Sequence, residues 1–149
     1  MTICALSSAP GSSGVAVIRI SGPETKNLIK KLIKKELPRP RMATLLKLYN
    51  INTSSLIDEA IVLWFPGPNS YTGEDSFEVH CHGGFSTSKA FIDAFSKVKE
   101  LRFAEAGEFS KRAFYNGKAD LLHFEGINNL IKAETENQRI IANKQVYGE

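Results

Sequence analysis

Cysteine is almost missing from this chain: Cys4 and Cys81 are the only two in 149 residues, and they form no CxxC pair. That excludes a disulfide framework, leaves no thiolate pair spaced for zinc, and points to a reducing compartment. Long apolar runs are missing too, since nothing approaches the roughly 20 residues that span a bilayer. The opening Met1-Thr2-Ile3-Cys4-Ala5-Leu6 has no basic region followed by an apolar core and a cleavage site, so a secretory signal is not expected. Signatures of nucleotide hydrolysis fail as well. The only Gly-Lys pair is Gly117-Lys118, and Arg112 stands where a P-loop needs its first Gly. Gly11-Ser12-Ser13-Gly14 runs into Val15 and a strand rather than into Lys and a helix, and neither G-x-G-x-x-G nor G-x-S-x-G occurs. No recognisable GTPase or serine-hydrolase machinery is present.

What is there is ordinary globular chemistry, 42% hydrophobic and 23% charged, enough for one compact domain or one domain plus the beginning of another. The net charge of +3 is modest, and much of the lysine excess falls in Lys26, Lys30, Lys31, Lys34 and Lys35. Such a run is usually the solvated face of an amphipathic helix; a nucleic acid or anionic surface is the sharper alternative.

Strands are expected over Ile3–Leu6 and Val15–Ile20, separated by a Gly-, Pro- and Ser-rich loop at 7–14. Leu28, Ile29, Leu32 and Ile33 recur at helical spacing between Glu24 and Lys35, and Leu37-Pro38-Arg39-Pro40 ends that helix. β-type residues mark a strand over Ala43–Tyr49. The continuous apolar run Ala60–Phe65 reads as a strand covered on both faces, starting at 60. After a turn at Pro66-Gly67-Pro68-Asn69, Ser76–His82 alternates, with Phe77, Val79 and Cys81 on one side and Glu78, His80 and His82 on the other. A helix over Phe85–Val98, a short strand at Leu101–Ala104 and a short helix at Glu108–Tyr115 follow, the last stopped by Asn116-Gly117. Asp120 then caps a long polar helix through Ile140 and Ile141 whose thin apolar stripe needs a partner surface. Strands and helices mix without regular βαβ alternation, so the class is α+β, a mixed or antiparallel sheet with flanking helices followed by one long C-terminal helix.

Two residues stand out chemically. Arg19 interrupts the apolar strand Val15-Ala16-Val17-Ile18-Arg19-Ile20, and a guanidinium there must be paired. Its partner is an internal carboxylate in the ordinary case, or a ligand carboxylate, which suits the planar donor fork. Glu78, on the polar face of its strand, accepts two parallel N–H bonds, either from Arg19 or from the amino-pyrimidinone edge of a pterin. Glu78, His80 and His82, with His123 as a distant third imidazole, also raise a metal site, although paired strand histidines are more often ordinary polar residues.

Four strings together carry a resemblance: PGSSGVAVIRISG (Pro10–Gly22), WFPGPNSYTGED (Trp64–Asp75), HCHGG (His80–Gly84) and AGEFSKRAFYNGKADL (Ala106–Leu121), continuing through EGINNLIKAETENQR. In this order they resemble the amino-terminal part of the tRNA modification GTPase family MnmE, also called TrmE. The resemblance implies a folate-binding and dimerisation domain over 1–119, then from 120–149 the first helix of a central helical domain. It implies 5-formyl-tetrahydrofolate as ligand, with Arg19, Glu78 and Lys118 at the matching contact positions and Arg112 in a structural role. GTP, Mg and K would belong to a GTPase domain outside this chain, and so would the carboxy-terminal cysteine motif. Implied partners are a second copy of the chain, an FAD-dependent MnmG-type protein and tRNA, whose wobble uridine the complex modifies. Cys81 within HCHGG, Ala104-Glu105-Ala106 and the later ETENQR look more like the mitochondrial branch, which implies the matrix and a removed transit segment, with a bacterial cytoplasm as the alternative. The competing reading is a structural or tRNA-docking module in which Arg19 and Glu78 pair with each other.

Overall fold

The computed structural model describes residues 1–6, 15–82, 84–120, 125, 126, 129–133 and 136. The loop expected at 7–14, Gly83, the side chain of His82, His123 and most of the helix expected from 120 lie outside the described residues. Those that are described beyond 120 are helical.

Six strands form one mixed sheet: β1 (Thr2–Leu6), β2 (Val15–Ser21), β3 (Thr44–Tyr49), β4 (Leu56–Phe65), β5 (Ser76–His82) and β6 (Leu101–Phe103), in the order β3-β4-β5-β2-β1-β6. Every neighbouring pair is antiparallel except β1 with β6. Helices α1 (Thr25–Ile33) and α2 (Phe85–Ser96) bury Leu28, Ile29, Leu32, Ile33, Phe91 and Phe95 in the same cluster as Ile18, Ile20, Val62, Phe77 and Val79. Each such aliphatic or aromatic side chain taken from water contributes up to about 1.5–3 kcal/mol. One face of the sheet is therefore the core, and α+β describes the molecule.

α1 stops at Ile33 because Lys34 turns left-handed (φ 55°), two residues before the expected end, and its N–H returns to Lys30 O at 3.0 Å. β4 departs from expectation twice. It begins at Leu56, since Asp58 and Glu59, residues that strands ordinarily disfavour, pair with Leu48 and Lys47 of β3. It is also covered on one face only: Ala60, Val62 and Trp64 are buried, whereas Ile61 is 38% exposed and Leu63 and Phe65 are half-buried. An unbroken apolar run reports hydrophobicity on both sides of a strand, but both large helices lie on the same side.

Helix α3 (Glu108–Tyr115) is held at one end of the sheet by an ionic web. Arg112 reaches both oxygens of Glu74 at 3.1 and 3.2 Å, Glu108 at 3.3 Å and the carbonyl of Met1 at 2.6 Å. Arg102, the middle residue of β6, grips Glu108 through both carboxylate oxygens.

Candidate functional site

Alternation decides where the charged pair sits. Ala16, Ile18 and Ile20 of β2 lie opposite Cys81, Val79 and Phe77 of β5, all buried, so a slip of β2 by one residue would turn its three apolar side chains to solvent. With the register so fixed, Arg19 and Glu78 are direct cross-strand partners on the opposite, open face.

They touch. Arg19 donates from Nε at 3.3 Å and from a terminal nitrogen at 3.2 Å to the same oxygen, Oε2, of Glu78. The other oxygen, Oε1, takes His80 Nε2 at 3.1 Å. The pair is part-buried, at 32% exposure for Arg19 and 18% for Glu78. Phe109 of α3 and Tyr71 lie against the guanidinium, with ring centres at 5.6 and 6.0 Å. Arg19, Glu78, Phe65, Tyr71, Thr72 and Ser76 line a cleft of about 80 Å³.

The loop between β4 and β5 shapes this cleft, and α3 is stapled to it. Tyr71 Oη meets Ser110 Oγ at 2.9 Å, and Asn116 Nδ2 donates to Thr72 O at 2.8 Å. Ser21, Thr72 and Ser76 share hydroxyl hydrogen bonds of 2.8 to 3.3 Å, and Ser21 donates onward to Glu74 at 2.9 Å.

Of the three residues marked by resemblance, Arg19 and Glu78 meet. Lys118 does not join them: among the described residues no hydrogen bond or ion pair links its side chain to either. It is exposed, its N–H bonds Ala113 O at 2.7 Å, and it packs beside Gly73, where an added Cβ would stand 3.4 Å from its Cγ. That places its stem against the cleft-forming loop. Arg112 is spent on α3 as described. Tyr71 and Phe109 were not singled out in the sequence, because their place beside Arg19 comes from the docking of α3.

Glu78 and His80 share a hydrogen bond, and no group of three His, Cys, Asp or Glu converges among the described residues. Cys81 faces the core and its Sγ donates to Ala16 O at 3.3 Å; burial and then the charge of Asp58 push its thiol pKa up. Burial pushes Cys4 to about 12, so both free thiols stay protonated and unreactive at neutral pH.

Fold and site together define an α+β domain with helices packed on one sheet face and a charged pair set among apolar side chains on the other. Residues 2–118 match the family described as GTP-binding protein TrmE N-terminus, and the chain belongs to that family. It is 57% identical to the tRNA modification GTPase MnmE of Pelagibacter ubique, over 99% of this chain and 33% of that protein. It is 48% identical to the mitochondrial 5-taurinomethyluridine-tRNA synthase subunit GTPB3 of Danio rerio, over 99% of this chain and 29% of that protein. Against the human protein of the same name identity is again 48%, over 99% and 30%. The chain spans about a third of the length of these relatives. No helix among the described residues is long and apolar enough to cross a membrane.

Proposed function

We propose that this chain binds 5-formyl-tetrahydrofolate and pairs with a second copy of itself, as the part of a tRNA-modifying GTPase that positions the one-carbon donor. The observation that carries this reading is the part-buried Arg19–Glu78 pair beside an aromatic-flanked cleft. The pair is part-buried, so removing Arg19 from Glu78 with nothing in its place would be costly. The paired N–H groups of a pterin would replace Arg19 on that carboxylate and keep it satisfied. Arg19 and Lys118 then offer positive charge to the ligand's oxygen or carboxylate groups, and Tyr71 and Phe109 offer flat surfaces to its ring.

A cleft of about 80 Å³ is too small for folate, since sites for such ligands enclose roughly 300–1,000 Å³. A second copy seated on the open face supplies the missing walls, which ties binding to dimerisation. The division at 119/120 is part of the same proposal, supported by the family match ending at 118. So are GTP hydrolysis with Mg and K, the MnmG-type FAD partner and the wobble uridine of tRNA, all of which involve parts of the whole protein beyond this chain. We place it in the mitochondrial matrix. A bacterial cytoplasm is the second reading, favoured by the higher identity to the Pelagibacter protein than to the two mitochondrial ones.

Calorimetry with 5-formyl-tetrahydrofolate tests the site. Glu78→Ala should lose about tenfold or more in affinity, as expected when a charged hydrogen-bond partner is removed. Unchanged affinity removes Glu78 from the site, and a wild-type chain that binds no reduced folate ends the folate reading altogether.

A further inference from the structure

Away from the cleft, the solvent face of α1 is unaccounted for. Lys26, Lys30, Lys31, Lys34 and Lys35 are all exposed. Five lysines against Glu24 and Glu36 give residues 24–36 a net charge of +3, which is the net charge of the entire chain. The rest of the molecule is neutral on balance, with Lys89 matched by Asp93, Arg102 by Glu108, and Arg112 by Glu74 and Glu108. Of the five lysines only Lys34, just past the end of α1, is engaged, donating to Ser54 O at 3.1 Å beside the Tyr49 ring. Lys26, Lys30, Lys31 and Lys35 form no ion pair among the described residues.

This arrangement works against the helix. Within α1, Lys26 and Lys30 are like charges at i,i+4, which repel, and Lys34 and Lys35 add further positive charge just past the helix end. The helix dipole favours Lys30 and Lys31 in the last turn but opposes Lys26 in the first, where no acid stands. Lysines interleaved with acids would keep the same face soluble without that repulsion.

We propose that the lysine face of α1 docks on the phosphate backbone of tRNA, an inference that rests on the tRNA-modification part of the reading above. Its ammonium groups, with Lys26 and Lys30 spaced roughly 6 Å along the axis by the helical rise, Lys31 beside them and Lys34 and Lys35 just past the helix end, act as point charges that hold a backbone without reading bases. α1 covers the core side of the sheet, so its lysines face away from the open face. RNA and a second copy of the chain then occupy different surfaces.

Fluorescence polarisation with a labelled tRNA transcript across a salt series tests this on the full chain. The variant Lys26→Gln/Lys30→Gln/Lys31→Gln should bind about tenfold or more weakly, with a salt slope shallower by about two to three. A control of equal net charge, Lys47→Gln/Lys89→Gln/Lys111→Gln, should stay within about twofold of wild type. Gln is nearly as good a helix former as Lys, so melting at low salt should be unchanged or higher, which separates lost docking from lost folding. Equal losses in both variants, or wild type without tRNA affinity, overturn the proposal. So does a variant that releases phosphatidylserine vesicles while still holding tRNA, which would make the face a membrane contact. Folate calorimetry on the α1 variant keeps the two readings apart: intact folate binding with tRNA binding lost supports both, and intact folate binding with tRNA binding retained removes only this one.

Discussion

At the scale of single residues, the tightest constraint lies where β2 leaves the sheet. Gly22 has φ 141°, and a Cβ built on it would stand 2.5 Å from the Thr2 backbone. Its own N–H bonds Asp75 O at 3.0 Å, so the strand end, the Thr2 backbone and the cleft loop meet at this one position. The Thr2 hydroxyl, 2.7 Å from the same point, is itself held by the Glu24 N–H at 2.8 Å, and the Thr2 Cα is backbone, so neither swings away freely. Gly22→Ala should destabilise the chain by roughly 2–4 kcal/mol, combining a forbidden backbone angle with a backbone clash. Urea unfolding monitored at Trp64 measures this, and a loss under about 0.5 kcal/mol, the range of an ordinary surface change, would show that the β1–β2 junction gives way easily.

At the scale of elements, α3 matters most because it carries Phe109 to the cleft and Lys118 just beyond. Its anchor is Glu108, which Arg102 holds to a carboxyl pKa of about 2, well below the ordinary 4.5. A depressed carboxylate stabilises the fold fully above its unfolded value and loses that contribution as pH falls from about 4.5 towards 2. Because Arg102 is 40% exposed, solvent screening reduces the contribution to about 1–2 kcal/mol. Glu108→Gln should therefore melt lower than wild type at pH 7, with the difference shrinking through that window; an equal difference at pH 7 and pH 2.5 would contradict it. The same helix shows what the sequence made legible. Local pattern announced it, along with all six strands and both larger helices, because periodicity and Gly or Pro punctuation are written into neighbouring residues. Arg19 was visible as a charge in an apolar strand, and Glu78 and His80 as the polar phase of an alternating one. Tyr71 and Phe109 were not, since what sets them beside Arg19 is the contact between Arg112 and Glu74, 38 residues apart. Nor was the open side of β4, because an apolar run does not say on which side helices will settle.

At the scale of the whole molecule, that open side is the consequence with the widest reach. Leu45 of β3, Ile61 of β4 and His80 of β5 lie in one cross-strand row, next to the row of Leu63, Glu78 and Arg19. Leu45 is 56%, Ile61 38% and Val15 52% exposed, an apolar patch around a charged pair on a sheet whose other face carries the core. A contiguous patch of this kind calls for a partner, and in a homodimer about a two-fold axis each copy offers the other the same surface. Ile61→Lys, which places a charge at the patch without touching the core, should shift the chain from dimer to monomer in sedimentation velocity at micromolar concentration. Folate affinity should fall with it, since the cleft one row away would lose its second wall. Linkage makes the claim sharper: if a second copy completes the site, saturating 5-formyl-tetrahydrofolate must tighten the wild-type dimer by the same factor by which dimerisation tightens folate. A wild-type chain that sediments as a monomer with and without folate would place the interface elsewhere, and an Ile61→Lys monomer with unchanged folate affinity would show that one copy builds the whole site.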